Sequence, residues 1–429
     1  MLATAENPTV RWSHGPRIGF RFVGTYLLLY TLPFLLGMMP GIDSWWWDTA
    51  DKPWLMLARW VGRHMLHLRT EVTPFHDGSA DTTYGYVRVV CTLAVSIGVT
   101  AGWSFLDRRR MNNATPHDWL HLLLRYNLGS ALLLYGIVKV IKVQFPFPLG
   151  RLVQTFGESS PAGLLWSFMG FSTAYTFFAG AVELLAGALL LFRRTTTLGA
   201  LVACGALSNV VMLNFSYDVP IKLYSSHLLL IAILLLVPEL TRLANVFLLN
   251  RPCEPARLYG PKFERPWMNG TLVAVQMLLM GAIVVSNVVN SVERYRKQHH
   301  VASSGLYGIY EVETFVRNGE TIPPLLTERT RWRWVTVQGS LLSITPVEGP
   351  GERYSSKHDE KKQELTLSRA MDPDTKYVLS YTKTDDGRFT FRGTLKNDAV
   401  VAEMRRVDES RFLLVHRGFH WINESFLNR

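Results

Sequence analysis

TAYTFFAGAVELLAGALLLF, residues 173–192, carries a single charge in twenty positions, Glu183, near its middle. As a helix rising 1.5 Å per residue, the run is about 30 Å long, enough to cross the hydrocarbon of a bilayer. Comparable runs recur on either side, at Phe20–Met39, Tyr86–Leu106, Leu120–Val143, Leu198–Phe215, Tyr224–Leu243 and Gly270–Val289. The 429 residues are 48% hydrophobic and 18% charged, but that average conceals a split. Apolar runs dominate from Leu27 to Asn290, whereas the chain from Ser291 has mixed charge and no such run. The sequence predicts a polytopic α-helical membrane bundle of about seven spans over residues 1–290. A linker over 291–304 and a soluble β-rich domain over 305–429 follow.

The net charge of +11 does not point to nucleic acid, because of where it lies. Beyond Ser291 there are 22 basic and 19 acidic residues. The surplus sits at loop ends of the membrane part: Arg108-Arg109-Arg110, Arg193-Arg194 and Arg251 to Arg265. With the N-terminus inside, all three clusters fall on the cytoplasmic face, as the positive-inside rule requires. Asp43, Asp48, Asp51, Asp77 and Asp81 then fall outside, as does the C-terminal domain. The expected location is the inner (plasma) membrane. Arg11, Arg17 and Arg21 precede the apolar run from Val23 without a small-x-small site after it, which suggests an uncleaved signal anchor. Cys91, Cys204 and Cys253 form neither a disulfide framework nor a C-x-x-C pair.

In the first external loop, Trp45-Trp46-Trp47, Trp54 and Trp60 suggest an interfacial belt. Between Pro53 and Leu68, apolar Leu55, Leu57, Val61, Met65 and Leu68 alternate with Arg59, Arg63 and His64, the pattern of a helix lying along the membrane face. The tail shows strand-like runs at Leu306–Phe315, Trp334–Val347, Tyr377–Thr382, Phe389–Thr394, Ala399–Met404 and Phe412–His416. Turn signals such as Asn318-Gly319 and Asp385-Asp386-Gly387 separate them. Dense hairpins of this kind predict an antiparallel β sandwich or barrel. No nucleotide loop, nucleophile elbow or zinc spacing occurs in it.

Ionisable groups inside or beside the spans are the candidate site, because a charge in hydrocarbon is costly unless paired or facing water. Lys139 and Lys142 close the third span. Asp218, Lys222 and His227 surround the connection between the fifth and sixth. Asn209 and Asn214 lie in the fifth span, about 140° apart around the helix. Glu183 is either a neutral or ion-paired carboxyl fixing helix register, with Lys139 or Arg125 as partner, or a proton-transfer group. The lysines either snorkel to headgroups or hold an anionic or quinone-like ligand. His227 is read as a hydrogen-bonding histidine rather than a haem or metal ligand. His117 and His121, at i and i+4, lack a third ligand, so no metal site is expected.

Gly136-Ile137-Val138-Lys139 at the end of span three, and Glu183 before Leu184-Leu185-Ala186-Gly187-Ala188-Leu189-Leu190-Leu191, resemble the DoxX family of four-helix membrane units. The resemblance covers roughly Leu120–Leu243. Some members are the small subunit of thiosulfate:quinone oxidoreductase; others accompany redox enzymes. It implies a quinone-facing bundle in which Lys139 and Glu183 matter. This chain adds two spans before the unit, one after it, and the β-rich tail.

These readings combine into an expectation: a DoxX-like protein holding a lipophilic or quinone-type ligand near the outer leaflet, with membrane lipids around it. Lys139, Lys142 and Lys222 would supply charge, Glu183 or Asp218 a proton site, and Asn209 or Asn214 orientation. As an oxidoreductase component it would take electrons from a redox partner protein, since no cofactor motif other than the implied quinone is visible. The alternative is a non-enzymatic lipid or small-solute carrier, or an envelope scaffold displaying the β domain.

Overall fold

The structure, a computed structural model, describes residues 12–37, 49, 51–73, 81–107, 114–261, 263–300, 305–369, 372–384, 388–421 and 424. Trp45–Trp47, Arg108–Arg110, Asp43, Asp48, Asp77 and the Asp385-Asp386-Gly387 turn lie outside them. The chain forms two compact units: Met1–Gln144 with Thr173–Ser291, and Phe145–Ser172 with Val292–Arg429.

The first unit is helical: α1 (His14–Gly37), α2 (Lys52–His64), α3 (Thr83–Leu106) and α4 (Ala114–Val140) precede the excursion into the second unit. In that excursion lie α5 (Gly150–Val153) and α6 (Pro161–Phe171). Then come α7 (Thr173–Leu190), α8 (Thr196–Ser216), α9 (Lys222–Leu236), α10 (Leu240–Phe247) and α11 (Pro266–His300). Among the described residues, six helical stretches are long and apolar enough to cross a membrane: α3, α4, α7, α8, α9 with α10, and α11. They are compatible with a multi-pass membrane protein. The first expected span corresponds to α1, which packs on α3 and α4 but is not one of the six.

Pro238 marks where α9 gives way to a 3-10 turn, Val237–Glu239, so Glu239 sits at a helix break rather than in a continuous span. α4, α7, α8 and α9 pack in a ring, each on the next and α9 back on α4. The core of this ring includes Leu128, Ala131, Leu132, Ala186, Leu190, Ala200, Ala203 and Ile231. α2 is the amphipathic helix expected before Leu68. Ala58, Val61 and Gly62 pack it against α3, while Met56, Trp60 and Met65 stay exposed.

The linker expected at 291–304 is helical as far as His300, because α11 runs on through Ser291. Nothing in SVERYRKQHH breaks a helix, and Glu293 and Lys297 stand at i and i+4. Residues 145–172, placed by sequence with the membrane part, belong instead to the second unit. There, Gln338 accepts from the Leu149 amide at 2.9 Å and donates to the Phe147 carbonyl at 3.1 Å. Leu149 is buried with Ile309, Trp334 and Val407 on the outside of the sheet.

That sheet is a closed eight-stranded antiparallel barrel with a short extra strand. Its strands are β1 (Gly308–Arg317), β2 (Glu320–Thr321), β3 (Trp332–Gln338), β4 (Leu341–Pro346), β5 (Glu352–Asp359), β6 (Glu364–Arg369), β7 (Asp372–Lys383), β8 (Arg388–Leu395) and β9 (Asp398–Val407). β3 to β9 pair in sequence order, β1 joins β3 to β9, and β2 hangs on β1. Tyr310, Phe315, Leu342, Tyr354, Leu367, Leu379, Phe391 and Met404 fill the interior. An eight-stranded barrel is just wide enough for such filling.

Three details differ from the sequence reading. The run Trp334–Val347 is a hairpin, β3 and β4, turning at Gly339 with φ +71°. Ser355–Lys362, outside the strand-like runs read from the sequence, is largely strand β5: Tyr354 and Ser356 face the core and Arg353, Ser355 and Lys357 face away, an alternation concealed by its polar residues. Phe412–His416 is no strand but the one-turn helix α12 (Leu413–His416). In the Arg331-Trp332-Arg333-Trp334 run, Trp332 packs on Phe315 with centroids 5.1 Å apart. Arg331, 3% exposed, spends its guanidinium on the carbonyls of Val312, Glu313, Ile322 and Trp332.

Glu352 is the hub of a charged network on the barrel, hydrogen-bonded by Lys396, Tyr354 and Arg369. Burial works against its carboxylate, but the Lys396 and Tyr354 hydrogen bonds and the nearby positive charges outweigh burial and hold its pKa below the ordinary 4.5. The network therefore stabilises the barrel in full above pH about 4.5, and that contribution fades as pH falls further. With Glu352 38% exposed, Glu352→Gln should cost about 1 kcal/mol or less at neutral pH. It should also flatten the acid limb of the full chain's stability profile followed by tryptophan fluorescence. An acid limb identical to wild type would exclude this network as its source.

Candidate functional site

Lys139 lies in the last turn of α4 and Glu183 in the middle of α7. Their Nζ and Oε2 atoms are 2.7 Å apart, with the residues 7% and 4% exposed. Glycines make this approach possible. A Cβ on Gly180 would stand 2.7 Å from the Lys139 Cβ and 2.9 Å from the Gly136 carbonyl. Gly136 and Gly180, with Gly129 and Gly187 seven residues away on each helix, line a seam where α4 and α7 meet backbone to backbone. Of the two partners offered for Glu183, the structure selects Lys139.

Tyr135, four residues before Lys139, presents its ring 5.4 Å from the Lys139 ammonium. The Tyr224 ring lies 6.3 Å beyond Tyr135. Tyr30 stacks on His227 at 3.8 Å. The Nδ1 of His227 is 2.7 Å from the Leu223 carbonyl, which can only accept. That nitrogen therefore carries the proton, and Nε2 accepts from the Tyr26 hydroxyl at 2.6 Å. The result is a set of polar and aromatic groups inside the helical unit, with Glu183, Lys139, Tyr135 and Tyr224 forming one string and Tyr30, His227 and Tyr26 another. It joins α7, α4, α9 and α1.

The other expected residues stand around or outside this set. Asp81 accepts from the Lys222 and Leu223 amides at 2.7 and 2.9 Å, capping the start of α9. Lys222 pairs with Asp218 at 2.7 Å and lies 3.8 Å from Asp81. The Asp218 side chain is 83% exposed, so it is a surface partner of Lys222 rather than a second buried proton site. Asn214 donates to Ser225 Oγ at 3.0 Å, tying α8 to α9. Asn209, five positions earlier, is exposed on the opposite side of α8 and takes no part. Lys142, with φ +60°, reaches the Thr173 hydroxyl at the start of α7 instead of the Lys139 cluster.

Sequence reasoning missed Tyr26, Tyr30, Tyr135, Tyr224 and Asp81. For two pairs a signal exists: Tyr26 with Tyr30, and Tyr135 with Lys139, each stand at i and i+4 and so share a helix face. Asp81 bonds a helix start 141 positions later, and no local pattern announces that. Among the described residues, no three His, Cys, Asp or Glu side chains gather as metal ligands. His227 has both ring nitrogens committed.

No family model matches the chain, and no solved structure matches it. It is similar to the uncharacterized protein YwoB of Bacillus subtilis (strain 168), with 30% identity over 125 residues. That stretch covers 29% of this chain and 79% of the Bacillus protein.

Proposed function

This chain belongs to the same family as the Bacillus subtilis protein, and we propose that it is a DoxX-like membrane protein binding a lipophilic, quinone-type ligand. The observation that carries the reading is the set from Glu183 to Tyr26. It places phenol, ammonium and imidazole groups together in the interior of the helical unit. A quinone offers a flat ring to stack on tyrosine and two carbonyl oxygens that accept from phenols or an ammonium. Its reduction to a quinol takes two electrons and two protons. The Glu183–Lys139 pair is the proton-exchanging group of the set, and a redox partner protein supplies the electrons. In this reading the basic loops face the cytoplasm, with the Lys139 end in the outer leaflet and the β-rich domain outside the inner membrane, as the positive-inside pattern of the sequence supports.

A second reading has its own support: Lys139 and Glu183 satisfy each other across a glycine seam, as a purely architectural clasp would. The protein would then be a carrier or an envelope scaffold for the barrel. The two separate in one experiment. Mass spectrometry of small molecules retained by gently purified wild type should find a quinone, and Tyr224→Phe and Tyr26→Phe, which leave the pair intact, should reduce its retention several-fold. A folded wild type that retains no quinone, or variants that retain it fully, would rule out the quinone reading.

A further inference from the structure

About 21 Å along α4 from Lys139, counting back to Arg125 at 1.5 Å per residue, the opposite end of the helical unit carries a second cluster that the quinone reading does not use. His117, His121 and Arg125 follow one another at four-residue intervals and share one face of α4. Tyr259 covers that face, stacking on His121 at 4.8 Å and meeting His117 edge-on at 5.3 Å. Arg125 is 2% exposed, yet its Nε and Nη1 have no hydrogen-bond partner, and neither has His121 Nδ1. Arg193 stands close enough to repel the Arg125 guanidinium and turns one nitrogen to the Pro261 carbonyl at 3.5 Å. The face of Tyr126, 5.0 Å from the guanidinium carbon, offers only a partial counter-charge.

Three acids at this end face other cations. Asp107 pairs with Arg21, Asp118 with Arg257 and Glu239 with Arg242. Among the described residues, no carboxylate lies within ion-pair distance of Arg125. The segment joining α3 to α4 reads RRRMNN over residues 108–113, which adds only positive charge to the local sequence. A buried guanidinium without a counter-ion is heavily penalised in a membrane protein. An anion removes that penalty.

We propose that Arg125, His121 and Arg193 form a binding site for a phosphate group at the basic end of the helical unit. Phosphate suits the donors: its oxygens accept from the unpartnered Nε and Nη1 of Arg125, and His121 Nδ1 can donate as an N–H. An anionic phospholipid headgroup and free inorganic phosphate share this chemistry. The site is independent of the Lys139 string, so either can fail without the other.

The test is thermal unfolding of the purified full-length protein in detergent, titrated separately with phosphatidylglycerol, phosphatidylcholine and inorganic phosphate. Phosphatidylglycerol should raise the Tm by on the order of 5 °C, and phosphatidylcholine should not. An equal rise with inorganic phosphate alone supports the site and identifies a soluble anion as its source. Arg125→Leu, which deletes the uncompensated charge, should melt no lower than unliganded wild type and ignore phosphatidylglycerol. Arg193→Gln should need roughly tenfold more lipid for the same shift. No shift of wild type in any titration, an equal shift with phosphatidylcholine, or a full response in Arg125→Leu overturns the proposal. If Arg125→Leu does not fold, an undiminished response in Arg193→Gln overturns it instead.

Discussion

Lys139→Ala is expected to destabilise the helical unit by about 3–5 kcal/mol, because it leaves Glu183 buried without its ammonium partner. Part of that loss is recovered if Glu183 takes up a proton, so the effect should be smaller at low pH than at high pH. Glu183→Gln leaves the Lys139 charge uncompensated and should also melt early. The informative variant is the double substitution Lys139→Met with Glu183→Leu. Replacing a buried pair by well-packed apolar residues is often neutral or stabilising by 1–4 kcal/mol (about). The double variant should therefore melt near wild type although each single variant melts early. Its ligand content then separates the two functional readings. A stable double variant that has lost retained quinone makes the pair a working part of the site. A stable one that keeps the ligand makes the pair a clasp. If both single variants melt with wild type, the pair contributes nothing and the burial argument is wrong.

The positions of the helices were legible because hydrocarbon demands long apolar runs, and a run such as residues 173–192 admits few other readings. α4 and α9 were harder to read, since Lys139 interrupts one and Glu239 the other. The structure resolves these differently: Lys139 sits in the last turn of α4, paired with Glu183, whereas Glu239 marks a break after Pro238. The barrel was half legible. Strands rich in aromatic and β-branched residues, such as β1 and β8, announced themselves. β5 did not, because Ser356 and Tyr354 bury little apolar surface between charged neighbours.

The excursion 145–172 was misassigned for a different reason. Its allegiance to the barrel rests on Leu149 and Gln338, partners 189 residues apart, and no local pattern encodes such a contact. Within the candidate site, charge drew attention to Lys139, Glu183 and His227, each of which has a tyrosine ring beside it or beside its partner. The same logic overreached for Asp218 and Lys142, which meet other partners at the surface, and for Asn209, which faces outward. Costly residue types identify the neighbourhood of a site. Membership depends on helix rotation, to the nearest residue.

Gly180→Ala is expected to be among the most damaging methyl groups that can be added to the helical unit. The new Cβ would lie 2.7 Å from the Lys139 Cβ, 2.9 Å from the Gly136 carbonyl and 3.0 Å from the Val140 amide. Two of those three atoms are backbone, so no side-chain rotation relieves the contact and α4 must move away from α7. Overpacking of this kind costs about 1–3 kcal/mol, and here the movement also stretches the Lys139–Glu183 pair. Gly205→Ala and Gly281→Ala supply the contrast, since nothing stands within 4 Å of the added Cβ at either position. On helix propensity alone each should gain up to about 1 kcal/mol. Melting of the three variants side by side in detergent measures the seam directly. Gly180→Val should be worse than Gly180→Ala, and Gly187→Ala, 2.8 Å from Leu133 and 3.0 Å from the Gly129 carbonyl, should fall between Gly180→Ala and the controls. If Gly180→Ala melts with Gly205→Ala, α4 and α7 do not meet backbone to backbone. The close approach that delivers Lys139 to Glu183 would then be lost, along with the head of the string that leads to Tyr224.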